Sequence, residues 1–318
     1  MRELYCVLAL LLLQMGCAQT SHSSQKSLMG QALDVQKFEE EFSEKGVLEV
    51  ERITSADWSV SRAGLINLES KRAKDANLED GDEPIQIYMY AVKHPTHGLF
   101  LIDTGVDAAT AKRDTKQMSA GAFLRSAMNV EALKVHIDTK TWLAKQSTPL
   151  AGAFLTHLHF DHSMGLPDLP KNVPLYTGPG EAKTSGVLNM VTQPAINKSL
   201  RGHRALQELK MHPAGALEFA GATDVFGDQS LVAIHVPGHT KGSMAFILKS
   251  TEGPIMITGD ACHTKWGWDN HVEPGEFNND LEMSALSFEK LQAFAKRHPE
   301  MKVYLGHQDH DDEHPKSP

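Results

Sequence analysis

Four side chains able to bind a metal ion fall within six residues in Thr156-His-Leu-His-Phe-Asp-His162, namely His157, His159, Asp161 and His162. In an extended segment alternate residues share a side, which places His157 and His159 together. A tight turn after them would bring Asp161 and His162 around a second centre. One histidine is ordinarily packing, but three and an aspartate this close are not. Three further candidates stand apart: His239 in Val236-Pro-Gly-His-Thr240, Asp260 in Thr258-Gly-Asp260 and His307 in Leu305-Gly-His307. Neutral imidazoles and carboxylates suit zinc, although Mn, Fe or Co also occupy such nitrogen and oxygen sites. Two divalent ions roughly 3.5–4 Å apart share a water, draw its pKa toward neutrality and polarise a carbonyl or phosphoryl oxygen. The reaction class this points to is hydrolysis, without a serine or cysteine nucleophile.

Each candidate follows a short apolar run of strand length: residues 151–155 before the cluster, 231–236 before His239, 254–258 before Asp260 and 302–305 before His307. Loops at strand ends are held by a rigid scaffold, which is why they carry chemistry. Upstream, residues 47–53 alternate as a half-buried strand does, and residues 85–92 and 99–102 read as a strand pair joined through His94-Pro-Thr-His-Gly98. Residues 71–83 read as a charged loop, and residues 107–146 as helical, with breaks at Gly121 and around His136. Residues 281–298 read as an amphipathic helix presenting Leu281, Ala285, Phe288, Leu291 and Phe294.

The 318 residues, 41% hydrophobic, suffice for one large domain or two modest ones. A net charge of −9 argues against a nucleic-acid partner, since such proteins concentrate Lys and Arg on one face. Arg2 precedes an apolar run over residues 4–13, then Gln14-Met-Gly-Cys-Ala18. That run is shorter than the roughly 20 residues of a spanning helix and fits the roughly 7–15 of a signal-peptide core. Residues 1–16 are therefore expected to be a signal peptide. Gly16-Cys17 resembles the bacterial lipoprotein signal, which implies a periplasmic or membrane-anchored protein attached through a lipidated Cys17. Gln14 stands where that signal carries leucine, so simple export with cleavage near Ala18 is the alternative. With Cys6 in the leader and Cys17 in the tail, only Cys262 remains in the folded part, too few for a disulfide framework. Residues 17–45, rich in Ser, Gln and Glu, are expected to form a tether that turns helical near Val35-Gln-Lys-Phe38. The folded domain is expected over residues 46–310, with an acidic tail over residues 311–318.

These motifs, with Leu101-Ile-Asp-Thr-Gly105 upstream, resemble the successive motifs of the metallo-β-lactamase superfamily over residues 46–310. The resemblance implies an α/β fold, a four-layered αβ/βα sandwich of two mixed sheets with helices outside. It implies two divalent metal ions, foremost Zn2+: one on His157, His159 and His239, the other on Asp161, His162 and His307, with Asp260 bridging them. Asp103 would support the site by hydrogen bonding. A bridging Asp260 sets the chain apart from zinc β-lactamases. Ala261-Cys-His-Thr-Lys-Trp-Gly-Trp268 lacks the Cys- and Arg-bearing signature of glyoxalase II-type enzymes. Tyr90-Ala-Val-Lys-His-Pro95 and Gly306-His-Gln-Asp309 look most like N-acyl homoserine lactone lactonases. That subgroup implies quorum quenching by lactone ring opening, with Asp161 and Asp260 orienting a metal-bound hydroxide and a small lactone or ester as the molecular partner. It commonly places Tyr three residues after the bridging Asp. Here His263 stands there, able to donate the same hydrogen bond and to act as an acid near neutral pH. Trp266 and Trp268 either line an acyl pocket or pack in the core, and Cys262 is expected to be a small buried residue. Hydrolysis of other carboxylic or aryl esters or of organophosphate triesters is the alternative on the same ions. A mononuclear iron sulfur dioxygenase, or a binding protein, would use only part of the set.

Overall fold

In the long strand Asp82–His94 the side chains alternate between two apolar environments, so both faces of its sheet are covered. On one face Met89 and Ala91 join Leu99, Leu101 and Ala153 under Trp142, Leu166 and Ile196. On the other, Tyr88, Tyr90 and Val92 join Phe100, Ile102 and Phe154 against Ala233, Phe246, Leu248 and Ile257 of a second sheet. The far face of that second sheet, with Val232, Ile234, Ala245 and Ile247, packs on Phe38, Phe42, Leu291 and Phe294. Three apolar layers thus separate four layers of structure, the expected αβ/βα sandwich. The computed structural model describes residues 17–186 and 188–310. The expected signal peptide (1–16) and acidic tail (311–318) lie outside the described residues.

The first sheet has eight strands in the spatial order Ser24–Lys26, Leu206–Glu208, Leu175–Thr177, Leu150–Phe154, Gly98–Ile102, Asp82–His94, Glu49–Ser61 and Lys134–Val135. The second has five, in the order Gly221–Asp224, Leu231–His235, Met244–Ser250, Gly253–Ile257 and Lys302–Tyr304. Both are mixed: Leu150–Phe154 runs parallel to both its neighbours, whereas Asp82–His94 is antiparallel to its own. The pair joined at His94↔Gly98 matches its sequence reading.

Four expectations need correction. Residues 71–83 are not simply a loop: the Ser70 side chain caps a helix Lys71–Asp75, and Asp82 already begins the long strand. Residues 107–146 form only short helices, Ala108–Ala111, Ala122–Ala127 and Thr139–Leu143, because Asp107 and Asp138 each cap a fresh start and a strand, Lys134–Val135, intervenes. The helix Leu281–Arg297 buries Phe288, Leu291 and Phe294, as its period requires, but Leu281 is exposed.

The largest correction concerns residues 17–45, which are no tether. Cys17–Ala18 pairs with Ser185–Gly186, and Ser24–Lys26 adds a parallel edge strand to Leu206–Glu208. Asp34 then caps a helix Val35–Glu40 that buries Phe38, and Phe42 follows it into the core. Phe42 stands edge-on to Phe38 and Phe294, with ring centroids 5.4 and 5.3 Å away. Polar composition suits an edge strand, and two phenylalanines fasten the segment. Phe42→Ala is expected to cost about 3–5 kcal/mol of stability in denaturant titration. A tether would show a change below about 0.5 kcal/mol.

Candidate metal centre

All the candidate ligands meet at one edge of the sandwich, where strands of both sheets end. Asp103 follows Gly98–Ile102 in the left-handed region, φ +56°, which Asp tolerates better than most residues. There its carboxylate accepts from the Thr156 amide (2.8 Å), the Thr156 hydroxyl (2.9 Å) and His162 Nδ1 (2.8 Å). With the Thr156 proton directed to Asp103, its oxygen accepts from His157 Nδ1 at 3.1 Å. His307 Nδ1 donates to the Gln86 carbonyl (2.9 Å) and His239 Nδ1 to Asn278 Oδ1 (3.2 Å). In all four rings the outer nitrogen holds the proton and Nε2 faces inward, the tautomer a metal ligand needs.

The inward atoms form two groups, each with its ligand atoms within 4.8 Å of one another. In the first, His239 Nε2 lies 3.2 Å from His157 Nε2, 2.8 Å from His159 Nδ1 and 3.4 Å from Asp260 Oδ2. In the second, His307 Nε2 lies 3.3 Å from both Asp161 Oδ2 and Asp260 Oδ2, and His162 Nε2 lies 3.3 Å from Asp260 Oδ1. Tetrahedral coordination with bonds of about 2.0–2.1 Å sets neighbouring donors about 3.4 Å apart, so these spacings fit a pair of ions. His162 Nε2 and Asp260 Oδ1, moreover, are buried without a hydrogen-bond partner. A cation satisfies both at once, where without one each faces only the other, 3.3 Å away. Asp260 belongs to both groups, the bridging place expected of it.

The glycines before the ligands have steric work. Gly238 has φ +139°, and a Cβ there would sit 2.2 Å from the Ser284 amide nitrogen; a Cβ on Gly306 would sit 2.5 Å from Asp260 Oδ1. The His307 loop can press against the shared carboxylate only because residue 306 has no side chain.

Burial, reinforced by neighbouring imidazoles, holds His157 and His239 well below the usual histidine range, and burial holds His159 at about 4. For His162 and His307 burial acts the same way, but the surrounding carboxylates outweigh it, foremost Asp260, raising His162 well above its ordinary value and His307 to about 10. Burial likewise opposes charge on Asp161 and Asp260, yet the adjacent imidazoles keep both below the ordinary carboxylate range.

Glu181 was not legible as a functional residue. Its fully buried carboxylate accepts from the Leu158 amide (2.7 Å), the Thr240 hydroxyl (2.6 Å) and the Gly242 amide (3.1 Å). One side chain therefore clamps the residue between His157 and His159 to the residue after His239. Only its place between Gly178-Pro-Gly180 and a short turn marks it in the sequence, and a solvated charge would look the same.

His263 is buried beside the ligands: Nδ1 donates to the Leu65 carbonyl (3.1 Å), and Nε2 lies 3.1 Å from Asp260 Oδ2. Trp266 and Trp268 take the packing alternative, Trp268 standing edge-on to Phe288 at 5.8 Å. Cys262 is buried and its thiol pushed up by burial, which leaves it inert. A cavity of about 550 Å³ opens over His159, Asp161, His239, Asp260, His263 and His307, walled by Trp58, Leu65, Phe123, Leu124, Leu188 and Phe277.

Residues 82–293 match the metallo-beta-lactamase superfamily, and the chain belongs to that family. Among characterised relatives it is similar to the N-acyl homoserine lactonase AttM of Agrobacterium fabrum, 32% identical over 85 residues, 26% of this chain and 32% of AttM. The chain thus spans about a third of AttM. It is also similar to an N-acyl homoserine lactonase from a Bacillus species, 23% identical over 240 residues, 71% of this chain and 82% of that one. In fold it is similar to the crystal structure of an N-acyl homoserine lactone hydrolase with N-hexanoyl-L-homoserine bound at its catalytic metal centre (TM-score 0.59, 16% identity, 84% of this chain and 94% of that one).

Ligands bind metal deprotonated, so reloading the chelated protein at pH 7 is expected to release at least about two protons per chain, from His162 and His307, with any further proton coming from bound water. Calorimetry in buffers of different ionisation enthalpy reads this number, and zero release would contradict the charge pattern. Glu181→Gln puts an amide donor against the Thr240 and Gly242 donors, and chelator competition should show metal held about 10–100-fold less tightly.

Proposed function

We propose that this chain is a metal-dependent hydrolase that opens the lactone ring of N-acyl homoserine lactones. The observation that carries this reading is the cavity: two donor groups sharing Asp260 form its floor, and apolar side chains form its walls. Such a shape takes a compact polar head at the bottom and an acyl chain above it. The relatives named as lactonases support the same substrate.

Zinc fits the imidazole and carboxylate donors; bound as a pair, such ions supply an activated water and polarise the lactone carbonyl. Asp161 and Asp260, whose carboxylates line the cavity floor, would hold the ions and orient such a water. His263, its Nδ1 proton committed to Leu65, presents Nε2 beside Asp260; carrying a proton there, it would donate to the ring oxygen as the bond breaks. Trp58, Leu65 and Leu124 exclude water from the acyl chain. A single iron on the first group would leave Asp161, His162 and His307 converged to no purpose, so the complete second group favours the dinuclear reading over a sulfur dioxygenase. Export, which the leader pattern supports, would put this activity outside the cytoplasm.

Chelator-sensitive proton release on a panel of short- and long-chain acyl homoserine lactones is the expected result for the metal-replete protein. Absence of turnover with two ions bound would sink the lactonase reading and bring aryl esters and phosphotriesters forward. His263→Phe should lower kcat about 10²–10⁴-fold with metal content unchanged, and His263→Tyr should recover part of the loss. Full activity in His263→Phe would remove the proton-donor role.

A further inference from the structure

Among the described residues, several exposed large apolar side chains, though not Leu28 or Val47, lie near the cavity mouth. Phe123 is 73% exposed, Leu188 51% and Met190 61%, and Phe123 and Leu188 both line the cavity. Leu281 and Met283 stand out from the first turn of the helix Leu281–Arg297, which starts at the His239 loop through the Asp280 amide on the Gly238 carbonyl (3.0 Å). The segments that carry the two groups adjoin, since a Cβ on Gly186 would lie 2.8 Å from Asn279 Oδ1. Leu281 was expected in the core from its helical period, and it faces outward at this rim instead. Exposed apolar side chains gathered near a cavity mouth mark an interaction surface.

The same rim holds the point where the N-terminal apolar segment joins the domain. Exposed Cys17 pairs with Gly186, and its carbonyl accepts from Asn189 Nδ2 at 2.9 Å. Asn189 begins the helix whose Val191 and Thr192 line the cavity. Anything that fixes the chain to a membrane ahead of Cys17, whether a lipid on that residue or the apolar run over residues 4–13, therefore fixes the cavity mouth there too. A net charge of −9 gives no attraction to an anionic surface, so contact must be apolar. Side chains of this kind insert at the boundary between headgroups and acyl chains, where a second apolar element turns marginal anchoring into stable attachment.

We propose that the rim formed by Phe123, Leu188, Met190, Leu281 and Met283 docks on a lipid bilayer, with the segment ending at Cys17 as its anchor. The consequence for substrate, that an acyl chain enters the cavity from the membrane, rests on the lactonase reading; the docking itself does not.

The test uses the full chain with phosphatidylcholine vesicles and nitroxide labels on Phe123→Cys, Met190→Cys and, as a control, Ser147→Cys. Ser147 precedes the strand Leu150–Phe154 at the end away from the metal loops. Labels at 123 and 190 should become accessible to oxygen and shielded from a water-soluble nickel chelate, with the label at 147 unchanged. Equal water exposure at all three, or spin coupling between copies without vesicles, would overturn the proposal, the latter by making the rim a face for a second copy. The triple variant Met190→Ser/Leu281→Ser/Met283→Ser, outside the cavity lining, should partition into vesicles at least tenfold more weakly with metal content unchanged; undiminished partition would also overturn it. Neither readout requires turnover, so a failed lactonase assay and failed docking are separate results.

Discussion

A single carboxylate, that of Asp260, organises this molecule. Its Oδ2 lies 3.1–3.6 Å from the Nε2 atoms of His157, His239, His263 and His307, and its Oδ1 lies 3.3 Å from His162 Nε2. Five imidazoles around one buried anion form a costly arrangement in the absence of cations, because the nitrogens present lone pairs or like charges to one another. Folding must be driven by the three apolar layers, and metal binding then returns free energy as stability, since it favours the folded chain alone.

The centre also ties the two sheets together. Asp103 and the His157–His162 loop come from strands of the first sheet, whereas His239, Asp260 and His307 come from strands of the second. Two carboxylates outside the ligand set support this junction, one within the first sheet and one across to the second. Asp103 orients His162 and Thr156, and Glu181 spans from the loop of one sheet to the loop of the other through Leu158 and Thr240. Their geometry makes the ligand positions a property of the scaffold rather than of flexible loops.

The seven candidate ligands were legible because each follows an apolar strand at a fixed short distance, and strand ends are determined locally. The central strands were legible for the same reason, their apolar runs being continuous on both faces. Glu181 was not, since it is held by the Leu158 amide 23 residues before it and by the Thr240 hydroxyl and Gly242 amide 59 and 61 residues after it, and no local pattern announces them. Residues 17–45 misled for a related reason. The partner strand of Ser24–Lys26 lies at Leu206–Glu208, so pairing that makes the segment part of the domain is invisible to local composition. In residues 107–146 helical composition misled, because fresh starts at Asp107, Gly121 and Asp138 and the strand Lys134–Val135 leave only short helices.

That woven N-terminal segment would change the mechanics of any attachment made ahead of it. A flexible chain over residues 17–45 would let the domain wander about 30 Å from whatever held its start. Paired instead with Ser185–Gly186 and the sheet edge, the segment has no slack, and its first described residue is bolted to the wall of the cavity mouth. Were the chain held ahead of Cys17, the domain's orientation would be inherited from the mounting point, and it would survey a thin slab instead of a hemisphere.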